Sequence, residues 1–96
     1  MKSNKSVKNM IRWYIRENEN HQYLWQTDEY KQEVYSLWAA RELLNELRKN
    51  KSKPPLIVME NFRDKMDRYS CMNPATSFMF SVAKDTTEMF IDMIIK

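Results

Sequence analysis

Not one of the 96 residues is glycine. Two-residue hairpin turns, phosphate-cradling loops and dinucleotide fingerprints need positive φ or a close backbone approach, and glycine meets both at least steric cost. A chain without it is poorly suited to a sheet built from tight hairpins, so the sequence predicts an all-α protein. The only prolines are Pro54, Pro55 and Pro74, and each falls between apolar-periodic segments rather than inside one.

The spacing of apolar residues predicts four helices. Val7, Met10, Ile11, Tyr14 and Ile15 recur every three or four positions and define a first helix over 4–18. Thr27 can accept a backbone N–H as a cap, and Asp28 and Glu29 behind it suit the positive end of a helix dipole, so a second helix is expected over 27–50. Its inward stripe reads Tyr30, Val34, Leu37, Trp38, Leu44 and Leu47, with Ala40 where a neighbour can approach closely; Glu33, Arg41, Glu42, Glu46 and Arg48 take mostly the other face. The segment KNKSKPP ends that helix, because a proline at the first position of the next one gives up an N–H that has no helical partner there. The third helix, over 55–71, carries Val58, Met59, Phe62, Met66 and Tyr69 on one face. Asn73 as cap and Pro74 as first residue then predict a tight turn and a fourth helix over 74–95. With 43% hydrophobic and 30% charged residues, the expected architecture is a single domain over 1–96, a small antiparallel four-helix bundle with short connections.

The fourth helix is unusual. Phe78, Met79, Val82, Ala83, Thr86, Met89, Phe90, Met93 and Ile94 make one broad apolar face, with Phe80, Ile91 and Ile95 beside it, and only Ser81, Asp85, Glu88 and Asp92 form a polar strip. A helix apolar around most of its circumference must be covered on most sides. One way is to occupy the centre of the bundle, in which case Phe78, Val82, Met89, Phe90 and Ile94 should be nearly inaccessible. The other is to face a partner, and methionine suits adaptable contacts. Met89, Met93, Ile95, Phe80 and Ile91 are the candidate partner-contact residues.

Catalytic and metal chemistry find no constellation in this sequence. One histidine, His21, and one cysteine, Cys71, exclude an intrachain disulfide and a zinc site built on several such ligands within one chain. His21 lies in the polar connector ENHQ with no acid or thiol at ligand spacing on a predicted helix, and reads as a surface residue. Cys71 reads as a small packed hydrophobe. Asp85, Glu88 and Asp92 share a helix face, but a carboxylate-bridged metal pair in a bundle also needs Glu-x-x-His pairs, so the strip reads as solvated. No catalytic residue, cofactor site or small-molecule substrate is assigned, and the expectation is a non-enzyme.

Charge is unevenly distributed. Residues 1–16 carry Lys2, Lys5, Lys8, Arg12 and Arg16 with no acid, residues 17–47 carry seven acids against Lys31 and Arg41, and Arg48, Lys49, Lys51 and Lys53 then crowd into six positions. Lys5, Lys8, Arg12 and Arg16 lie 3, 4 and 4 apart, which makes a basic stripe along the first helix with Trp13 close to it. The stripe could track phosphates, lie on an anionic surface, solvate the outer face, or pair with the acidic second helix. Together with Lys49, Lys51 and Lys53 it defines the candidate phosphate contacts. A helix-turn-helix at RYSCMNPATS is rejected, because its second helix would present Phe, Met and Ile to a DNA groove instead of Arg, Asn or Gln.

No run approaches the 18 apolar residues of a membrane span, and no apolar stretch follows the N-terminal lysines, so the expected location is the cytoplasm, with no membrane partner. Ten lysines and eight asparagines, whose codons are A/T-rich, fit a low-GC bacterial or phage gene. The function expected from all this is protein–protein interaction as an adaptor or regulator, including self-association as a homodimer. Nucleic-acid binding through the first helix and the 48–53 loop is the alternative.

Overall fold

The computed structural model describes residues 3–19 and 31–95. Four α-helices account for these residues almost entirely: α1 (Asn4–Glu19), α2 (Lys31–Lys49), α3 (Pro55–Ser70) and α4 (Ser77–Ile95). About 85% of the described chain is helical and none of it is strand, so the chain is a small all-α four-helix bundle. No described residue has positive φ, as a chain without glycine should manage.

The helix ends follow from local chemistry. Pro54 stands before α3 with φ −58° and ψ 137°, extended as a residue preceding a proline must be, and Pro55 opens the helix. Ser3 Oγ accepts from the Ser6 amide at 3.2 Å and caps α1. Asn73 does not cap α4 as expected. Its side-chain oxygen accepts from the Ala75 amide two residues on, at 2.9 Å, and its carbonyl accepts from the Thr76 amide at 3.2 Å. Those bonds close a turn over 73–76, and the helix begins at Ser77. The expected cap at Thr27 and the connector histidine His21 lie outside the described residues.

α3 and α4 form an antiparallel hairpin: Tyr69 meets Phe80 edge-on with centroids 5.2 Å apart, and one turn further along α4 Lys84 pairs with Asp67 at 3.4 Å. α1 rests on α2, where Tyr14 reaches Ser36 and Glu19 reaches Arg41, so the contacts advance in the same sense along both helices.

The expectation that the fourth helix is the centre of the fold is corrected. α2 is the helix that packs substantially on all three others, and it buries Ser36, Leu37, Ala39, Ala40, Leu43, Leu44 and Leu47. Ser36, Ala39 and Ala40 are small and buried, which lets neighbours approach α2 closely, whereas α4 turns Ser81, Asp85 and Asp92 outward and leaves that side uncovered. Val34, placed in the inward stripe by its spacing, is exposed.

The core joins Val7 and Ile11 of α1, Leu43 and Leu47 of α2, Val58, Met59, Phe62 and Met66 of α3, and Ala83, Phe90, Ile91 and Ile94 of α4. Through it runs a polar seam. Tyr14 Oη lies 2.6 Å from Ser36 Oγ, which lies 2.9 Å from Thr86 Oγ1, which lies 2.8 Å from the Val82 carbonyl oxygen. The single Thr86 hydroxyl proton is directed toward both Ser36 Oγ and the Val82 carbonyl oxygen, and the seam ties α1, α2 and α4 together. Beside it the Tyr14 and Phe90 rings meet edge to face, 5.0 Å between centroids.

Candidate interaction surfaces

α4 sorts its residues by what packs against it. Val82, Ala83, Thr86, Thr87, Phe90, Ile91 and Ile94 are buried against α2 and α3. Around the opposite side, Asp85, Glu88, Met89, Asp92 and Met93 line one shallow surface depression. Met89 and Met93, one turn apart, are 37% and 40% exposed, so a pair of thioether side chains stands in solvent between carboxylates. Ile95 is exposed as well, but lies around the helix toward the C-terminal end rather than in the depression.

Two of the five candidate contact residues fail. Ile91 is 5% exposed and belongs to the core. Phe80 is half-buried, with its ring edge-on to Trp38 at 6.0 Å and to Tyr69 at 5.2 Å. Both sit on the side of α4 that meets α2 and α3, which the simple apolar count around the helix could not distinguish from a free side. The reverse error concerns Phe78 and Met89. Both were expected to be inaccessible, yet Phe78 is 56% exposed and touches only the Tyr35 ring edge-on, at 5.8 Å. It is the second residue of α4, where the helix has just begun.

The basic stripe of α1 points away from the core. Val7 and Ile11 face inward, while Lys5 and Arg16 are exposed and Lys8 and Arg12 half-buried along their stems. Arg12 donates to Asn9 Oδ1 at 3.0 Å, and no acid among the described residues pairs with Lys5, Lys8, Arg12 or Arg16. Among the described residues this stripe makes no pair with an acid of α2, and the ion pair that joins those helices, Glu19 with Arg41, runs with the opposite polarity. Trp13, beside the stripe, is exposed.

Lys49, Lys51 and Lys53 are all exposed at the α2–α3 connection. No hydrogen bond or ion pair joins them to the α1 stripe, so the two basic patches remain separate features. Lys53 borders a small cleft with Glu46, Asn50, Asn61 and Lys65. That cleft carries a carboxylate as well as two amines, and Asn50 Nδ2 is already given to the Glu46 carbonyl at 2.8 Å.

The acidic strip of α4 has its own electrostatics. Lys84 donates to Asp67 on α3, and that bond, with the Asp67 charge and then those of Glu88 and Asp85, holds its amine above the usual lysine value of 10.5. Among the described residues no cation forms an ion pair with Asp85, Glu88 or Asp92, and no three His, Cys, Asp or Glu residues come together as a metal site would need. Cys71 is exposed rather than packed, with only Ser70 Oγ near its sulfur at 3.8 Å, because α3 ends one residue before it. No described helix is long and apolar enough to cross a membrane. Compared with known protein families, curated proteins and solved structures, the chain matches none.

Proposed function

We propose that this chain is a non-enzymatic interaction protein that associates with copies of itself through the outer face of α4, in the cytoplasm of a low-GC bacterium or of a phage-infected cell. The observation that carries this reading is the pair Met89 and Met93, exposed one turn apart in a single depression on a helix whose other faces are core. A domain of this size covers a modest fraction of its apolar surface by folding alone, and pairing between subunits covers more. Methionine adapts its shape to an opposing surface at little steric cost.

Sedimentation equilibrium from about 10 to 200 µM tests it: the wild type should exceed the monomer mass, and Met89→Lys with Met93→Lys should return it to monomer with its helical circular dichroism unchanged. A wild type that stays monomeric throughout refutes the reading.

The unpaired cations of α1 favour a second reading, an accessory protein that grips nucleic-acid phosphates with Lys5, Lys8, Arg12 and Arg16 and with Lys49, Lys51 and Lys53. Retardation of generic DNA or RNA should then appear at low salt and fall steeply as salt rises.

A further inference from the structure

We infer that the surface which seats on the α4 depression is the basic stripe of α1 from a second copy of this chain. The inference rests on the self-association proposed above and names its two faces.

Charge and spacing carry it. Asp85, Glu88 and Asp92 stand 3 and 4 residues apart, and Lys5, Lys8 and Arg12 stand 3 and 4 apart, so each helix presents three like charges over eight residues. At the rise of an α-helix both rows span about 10 Å. The signs are opposite, and both rows lack ion-pair partners among the described residues. Each row is also edged with exposed apolar groups: Trp13 flanks the cations, and Met89 and Met93 flank the carboxylates. An indole against thioether sulfurs is a favourable contact, so the two faces complement each other in polarity as well as in charge.

Within one chain the two faces do not meet. α1 touches α4 through Tyr14 on Phe90, and Phe90 is on the side of the helix away from Asp85, Glu88 and Asp92. Only another copy can bring a basic α1 to this strip. The contact joins unlike surfaces of opposite charge, and the opposed charges give it both its register and its salt dependence.

Two charge-reversed proteins test it. One carries Lys8→Glu and Arg12→Glu on α1; the other carries Asp85→Lys and Asp92→Lys on α4. None of these side chains bonds another helix, so the circular dichroism of each should match the wild type, as should its melting temperature at protein concentrations low enough for the wild type to be monomeric. Each alone should associate at least about tenfold more weakly than wild type, since like charges then face each other. Mixed in equal amounts they should associate again, because the acidic α1 of one now meets the basic α4 of the other.

If the wild type associates but the separate variants do so equally well, or their mixture does not recover, the α1–α4 contact is wrong while self-association stands. If the wild type is monomeric at every concentration, both fall. If the α1 variant associates normally and loses only its retardation of duplex DNA at low salt, the stripe serves phosphates and the inference is overturned.

Discussion

Phe78 and Phe90 are the same residue type on the same helix, and replacing each with alanine should give very different results. Phe90 is fully buried, with its ring nearly perpendicular to that of Tyr14 and core residues around it. Truncation leaves a cavity that helices fixed by their neighbours cannot close, a loss of about 3–5 kcal/mol. A 96-residue domain has a total stability of roughly 5–14 kcal/mol, so Phe90→Ala removes a large share of it. Phe78 is 56% exposed and has one aromatic neighbour, Tyr35, so Phe78→Ala forfeits an edge-to-face contact and some partial burial, together no more than about 1.5 kcal/mol.

Urea denaturation followed at 222 nm, at low micromolar protein, measures both. With a slope of about 1–3 kcal/mol per molar urea, Phe90→Ala should lower the midpoint by at least about 1 M, and the slope itself should stay constant. Equal costs for the two substitutions, within about 0.5 kcal/mol, would refute the burial pattern from which the difference is derived.

The hydroxyl seam should behave as a unit. Ser36→Ala leaves the half-buried Tyr14 hydroxyl without its partner, at about 1–3 kcal/mol, and Tyr14→Phe added to it should cost less than the sum of the two singles; additivity would show that the seam is not coupled. In a pH titration of lysine side chains by NMR, Lys84 should deprotonate above 10.5, and Asp67→Asn should bring it down toward that value by removing its first and strongest cause. The sign follows: a raised lysine contributes to stability at neutral pH and loses that contribution as pH climbs from 10.5 through its folded-state value.

Much of this fold is written in periodicity and punctuation. The turns at Pro54–Pro55 and Asn73–Pro74 and the inward faces of α1 and α3 can be read directly, because each of those helices packs on one side and shows one apolar stripe. α2 and α4 resist the same reading. α2 packs on three neighbours, so a stripe is the wrong template, and Leu43 and Ser36 were missed although Ser36, Ala40, Leu43 and Leu47 keep spacings of 4, 3 and 4. A serine carries no hydrophobic signal, and its value arises only where Tyr14 and Thr86 converge on it. On α4 the apolar count is right and its disposition is not: Phe80 and Ile91 face neighbours, Phe78 and Met89 do not, and only the placement of α2 and α3 decides which. That Val7 and Ile11 of α1 face inward is legible in their spacing; whether its cations meet an acid on a neighbouring helix depends on how the helices are placed, which spacing does not give.

The modest hold on α1 shapes the order in which the bundle opens. α1 has two fully buried side chains, Val7 and Ile11, against seven buried residues each in α2 and α4. Detaching it forfeits those two, roughly 3–6 kcal/mol of burial, together with the Tyr14 contacts, while the Leu43, Met59, Phe62 and Phe90 assembly stays in place. Once lifted, a helix of 16 residues has too few turns to persist in water and unravels. The native protein therefore visits a partly open form in which α2, α3 and α4 remain folded, and the amide hydrogens of α1 should exchange with solvent at a lower free energy than those of the other three helices, which exchange together.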